Sequence, residues 1–140
     1  MIDREAVIGW RSWDIGEDGF LTSVWRDDVW PIGTKMCGEC DQNHRVAHGK
    51  CSCGIYASLS PEQAIDINLR YAAEDQPRVF GTVALWGKVI EATKGARGEF
   101  AYPQSLYVPT LRWREVELLS RYGVPIEVCN PYALGGKSWR

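Results

Sequence analysis

Apolar and polar residues alternate in short runs along most of this chain, and a period of two predicts strands. Ala6 to Trp13 (AVIGWRSW) carries enough β-branched and aromatic residues for a first strand. Glu17-Asp18-Gly19 supplies the turn signal after it, and Phe20 to Trp25 is the returning strand. Arg26-Asp27-Asp28 then turns the chain into Val29-Trp30-Pro31. A larger β half runs from Val79 to Tyr107. Within it, Thr82 to Glu91 puts Val83, Leu85, Gly87 and Val89 on one face and Ala84, Trp86, Lys88 and Ile90 on the other, both largely apolar, as in a central strand. Gly87 should mark a bulge, a bend or a close approach of another backbone. Thr93 to Gly98 reads as a glycine-rich hairpin connection, with Glu99 to Tyr102 returning from it. In Tyr102-Pro103-Gln104-Ser105-Leu106-Tyr107 the proline should sit at an edge or a turn. The flanking tyrosines are expected to close the end of the β unit rather than offer a platform to a ligand.

Two segments change to the helical period. Ser60 is an N-cap, Pro61 sits at the first helical position and Gln63 has capping-box spacing. Ala64, Ile65, Leu69 and Ala72 then line one face to about Ala73 or Glu74, before the breaker Asp75-Gln76-Pro77. Pro109-Thr110 opens a second helix with Leu111, Val116, Leu118, Leu119 and Tyr122 as its apolar positions and Gly123 as its C-cap. Val124 to Val128 reads as a short last strand.

The expected fold class is therefore α+β: a single domain over residues 1–130 with an antiparallel sheet or small barrel, two helices and a loop stapled by zinc. Residues 131–140 form a flexible tail. A chain of 140 residues fits one core and not two. Its net charge of −2 argues against a protein whose main business is gripping phosphate backbones. No apolar run approaches the roughly 20 residues that cross a bilayer, so no membrane partner is expected. Met-Ile-Asp-Arg-Glu opens with charges and no apolar signal segment follows, which points to a cytoplasmic protein. Of the seven tryptophans, four or five are expected in the core and one or two on a contact surface.

The chemistry is concentrated between Cys37 and Ala57, CGECDQNHRVAHGKCSCGIYA. Four of the five cysteines and both histidines lie there. Thiolate sulfur and imidazole nitrogen are the ligands of tetrahedral zinc, and short spacings let one loop supply two of them. Cys37 and Cys40 are one such pair; Cys51 and Cys53 are a tighter one, followed by Gly54, where a backbone without a Cβ can turn. Six candidates compete for four places, His44 and His48 lying between the pairs. Cys51 and Cys53 are the firmest, because they lead directly into Ile55-Tyr56-Ala57. Upstream, a four-thiolate site competes with sets that include a histidine. Disulfides are disfavoured in a reducing cytosol, and Cys129, alone and far away in sequence, reads as a buried thiol.

Trp30-Pro31, Gly33, Cys40, His44 and Cys51-Ser52-Cys53-Gly54-Ile55-Tyr56-Ala57 form a longer pattern with Ala84-Leu85-Trp86-Gly87-Lys88-Val89-Ile90-Glu91 and Ala101-Tyr102-Pro103. Over about Trp10 to Val128 it resembles a group of short proteins of unassigned activity from actinobacterial and phage genomes. The resemblance implies Cys40, His44, Cys51 and Cys53 as the zinc ligands, with Cys37 and His48 extra, and a phage- or prophage-related origin. It implies no activity.

A thiolate-rich zinc is a poor Lewis acid, which favours a structural role. The expected function is that of a zinc-stabilised binding protein, its partner another protein, with no catalytic residue assigned. One alternative is a small metal- or thiol-dependent enzyme using Cys37, His48 or Glu39. Another is nucleic-acid binding through Arg45, Lys50, Arg78, Lys88 and Arg97. The glycines of Thr93 to Gly98 do not make a phosphate loop, since no lysine and helix follow them.

Overall fold

Two long strands organise the molecule: β5 (Arg78–Glu91) and β6 (Gly95–Val108) pair antiparallel from Phe80↔Tyr107 to Glu91↔Ala96. The structure, a computed structural model, describes residues 6–24, 28–40, 53–70, 78–108 and 113–128. It is a single-domain α+β fold, mostly sheet, with two short helices.

β1 (Val7–Ile15) lies along the other side of β5, in register from Val7↔Leu85 to Asp14↔Arg78. The Arg78 guanidinium closes that end on Asp14 at 2.7 Å. β5 is thus the central strand its two apolar faces predict. β2 (Leu21–Ser23) returns against β1 after the Glu17–Gly19 turn, where Gly19 takes φ 77°, and Val29 bridges back to Thr22.

The edge of β6 turned away from β5 receives three short strands. β4 (Ile55–Ser58) pairs with Gly95–Gly98, β3 (Met36–Cys37) with Phe100–Ala101, and β7 (Ile126–Val128) with Leu106–Val108. β7 runs parallel to β6, so the sheet is mixed where an antiparallel one was expected. Nor is it a barrel: β4 meets β1 at the single pair Trp10↔Ser58, too little to close the strands continuously.

Two local expectations are corrected. Gly95 to Gly98 belong to β6 and not to the hairpin connection, which is Ala92–Lys94 and closes with Ala92 N–H donating to the Gly95 carbonyl. These glycines serve close approach rather than turning, since a Cβ on Gly95 would stand 2.9 Å from the Ala57 carbonyl oxygen. Pro103 lies inside β6 and not at a turn, at a place where, among the described residues, neither β3 nor β7 pairs with the outer side of the strand. The pairing shifts there from Thr82↔Ser105 to Val83↔Pro103, and a bulge tolerates the missing N–H. The second shift, between Trp86 and Val89, is the bulge expected at Gly87, which has φ 74°.

α1 (Pro61–Arg70) rests on β1 and β5, with Ala64 and Ile65 buried beside Phe80. Residues 71–77, over which this helix was expected to end, lie outside the described residues. α2 (Trp113–Leu119) continues as a 3₁₀ turn to Tyr122, and Gly123 ends it at φ 72°, its N–H donating to the Ser120 carbonyl. Pro109 to Arg112, Cys129 and the expected tail also lie outside the described residues. Trp13 and Trp30 meet edge to face at 5.4 Å in the main core, while Trp10 and Trp86 are half-buried. Among the described residues, no helix is long and apolar enough to cross a membrane.

Candidate functional site

Two of the expected ligands, Cys40 and Cys53, flank one feature of the β6 edge. β3 pairs Cys37 with Phe100, and the Gly38 N–H then donates to the Glu99 carbonyl at 2.9 Å. β4 resumes at the very next position, Ile55↔Gly98. β3 and β4 are therefore two pieces of one interrupted edge strand. The chain leaves β6 after Gly38 and rejoins it at Ile55, so the stretch from Glu39 to Gly54 is an excursion whose ends lie one residue apart along β6. At a rise of about 3.3 Å per residue in a strand, its neck is narrow.

Cys40 and Cys53 each stand two residues from that neck and lie near one another. Neither of them, nor Cys37, is in a disulfide. Cys53 is fixed from behind: the Arg97 guanidinium donates to its carbonyl at 2.6 Å. Gly54 makes the re-entry at a positive φ of 123°, which side chains disfavour, with the Gly98 carbonyl oxygen 3.2 Å from where a Cβ would lie. The turning role expected of Gly54 is thus met. Sulfurs held across a narrow neck suit zinc, which needs two more donors of the kind that His44 and Cys51 carry. His44, Cys51 and the alternative ligand His48 lie outside the described residues. Among those described, no group of three or more metal-binding side chains is assembled.

A cavity of about 530 Å³ opens beside the neck. Cys37, Glu39 and Cys53 line it, with Trp10 and Arg11 of β1, Ser23 of β2, Tyr56 of β4 and Asp28. Arg11 is the residue that the sequence reading passed over. Its guanidinium lies 5.0 Å from the Trp30 ring centre, and its Nη1 and Nη2 donate to the Tyr56 carbonyl at 2.6 Å and the Ser23 hydroxyl at 3.1 Å. Its Nε is enclosed and has no hydrogen-bond partner among the described residues. Burial pushes the guanidinium down to about 10, against the pull of the Asp28 charge; it stays a cation at neutral pH. The signal was there: Gly9, Arg11, Trp13 and Ile15 share a strand face, and a charge among inward apolar positions is costly without a use.

Two tyrosines hold the approach to the neck. The Tyr122 hydroxyl accepts from the Leu21 N–H at 2.8 Å and donates to the Trp30 carbonyl at 2.7 Å. The Tyr102 hydroxyl accepts from the Gly33 N–H at 2.9 Å and donates to the Tyr122 carbonyl at 2.8 Å. The segment Trp30–Gly33, which feeds β3, is thereby tied to β6 and to the end of α2. Tyr102 thus works inside the fold.

Cys37 and Glu39 are exposed on the cavity wall. Arg78 is paired with Asp14 and Arg97 with the Cys53 carbonyl, so two of the five proposed nucleic-acid contacts serve the fold itself. Arg45 and Lys50 lie outside the described residues.

Fold and site together define a small mixed-sheet α+β protein with a cysteine-necked excursion on its edge strand. Compared with protein-family models, curated proteins and solved structures, the chain matches none of them.

Proposed function

We propose that this chain is a zinc-held binding protein, the metal bound by Cys40, His44, Cys51 and Cys53 and the partner another protein. The observation that carries this reading is the interrupted edge strand, which brings Cys40 and Cys53 to matched places across one neck. The excursion Asp41-Gln42-Asn43-His44-Arg45-Val46-Ala47-His48-Gly49-Lys50 offers only Val46 and Ala47 for burial. So polar a loop gains little from a core and is ordered by a metal instead. Zinc there supplies cross-linking and charge neutralisation for three thiolates. The surface so shaped adjoins Tyr56, a half-exposed aromatic side chain of the kind that anchors protein contacts. We place the chain with the phage and actinobacterial group on the same residue pattern.

X-ray absorption at the zinc edge of the purified protein tests the assignment. Three sulfur neighbours and one nitrogen are expected. A shell completed by water oxygen would overturn the binding reading and favour the enzyme.

A further inference from the structure

Arg97 stands on β6 where the excursion comes back to the sheet. Its strand is paired on both sides at that point, with Ile90 of β5 and Tyr56 of β4, so the backbone that carries it is rigid. From there the guanidinium reaches past the start of β4 and donates through Nη1 to the Cys53 carbonyl at 2.6 Å, in a half-buried position. Gly54 keeps that path clear, since a Cβ there would already touch the Arg97 Cβ at 3.4 Å. Three thiolates and one imidazole on a divalent ion carry one net negative charge, and in a half-buried site such a charge needs a counter-ion. A carbonyl oxygen and the sulfur of the same cysteine are only a few bonds apart. A cation bonded to the first therefore acts on the second at a range that salt hardly screens, the screening length being about 8 Å. Two other cations of this region are engaged elsewhere: Lys35 lies over the Phe100 ring at 4.1 Å, and Arg11 bonds to the Tyr56 carbonyl and the Ser23 hydroxyl.

We infer that Arg97 is a positioning residue of the metal centre: its guanidinium fixes the main chain at Cys53 and supplies the positive charge that offsets the thiolates, and so sets how tightly the ion is held. The inference rests on the zinc reading above and adds to it a residue that is not itself a ligand.

Titration of the zinc-loaded full chain with a chromophoric chelator tests it, the zinc lost being read from the chelator's absorbance. Arg97→Met should hold zinc about 10–100-fold more weakly than the unaltered protein, with unchanged circular dichroism and still about one zinc at saturation. Arg97→Gln, polar and neutral, should show the same loss and serves if the methionine variant does not fold. Arg97→Lys, which restores the charge, should regain part of the affinity. Lys94→Met, which removes an exposed charge from the cavity wall, should leave the affinity unchanged. Unchanged affinity in folded Arg97→Met or Arg97→Gln would overturn the inference. So would Arg97→Lys binding no tighter than Arg97→Met, or an equal loss in Lys94→Met. An unaltered protein that holds no zinc would instead overturn the zinc reading, and this inference with it.

Discussion

Tyr122 shows how much a single side chain contributes here. Its hydroxyl is buried between the Leu21 N–H and the Trp30 carbonyl, so Tyr122→Phe leaves a donor and an acceptor without partners in a closed space. The expected loss is ~1–3 kcal/mol, read as a lower urea midpoint with an unchanged slope. Burial, the largest influence on the phenol, raises its pKa above 10.0. The native state therefore holds this proton more tightly than the unfolded chain does. The resulting stabilisation is fully present below about pH 10 and disappears as pH rises through the raised native value. The Tyr122→Phe variant should lack that alkaline decline in stability. Gly54→Ala is a second residue-scale case. At φ 123°, with the Gly98 carbonyl 3.2 Å from the new Cβ, it should cost ~1–3 kcal/mol by the same measurement. The need for glycine at position 54 was readable from its place after Cys53. The role of Tyr122 was not, because a hydroxyl at the end of an amphipathic helix carries no sign of partners a hundred residues away in sequence.

At the scale of elements, alternation and capping signals fixed what each segment is but not what it pairs with. The apolar faces of Thr82 to Glu91 identified a central strand, and Ser60-Pro61 and Gly123 located a helix start and a helix end. Gly95 and Gly98 misled, because glycine marks both turns and close approaches and only the position of β4 decides between them. The parallel pairing of β7 is likewise set by where α2 delivers the chain and not by the residues of Ile126–Val128. The interrupted edge strand has a direct consequence. Gly38 and Ile55 occupy successive places along β6, so deleting residues 39–54 and joining them should produce one continuous strand in register from Met36 to Ser58. The variant should keep the far-ultraviolet circular dichroism of the sheet and cooperative thermal unfolding, while binding no zinc. Non-cooperative melting would show that the excursion is part of the core.

For the whole molecule, the crowding of cysteines and histidines was legible as a candidate site, since six soft or imidazole donors share one polar stretch. Its surroundings were not. The cavity depends on β1, β2 and β4 meeting around Arg11, and no local pattern reports such a meeting. The central claim is that a single metal ion closes the neck between Cys40 and Cys53. Zinc content of the purified full chain after dialysis against a mild chelator tests it most directly, alongside Cys40→Ser, Cys53→Ser and Cys37→Ser. The account predicts about one zinc per chain in the unaltered protein and in Cys37→Ser, and none in the other two. A metal-free unaltered protein that keeps its fold, or a mass showing sulfur bonded to sulfur, would contradict it.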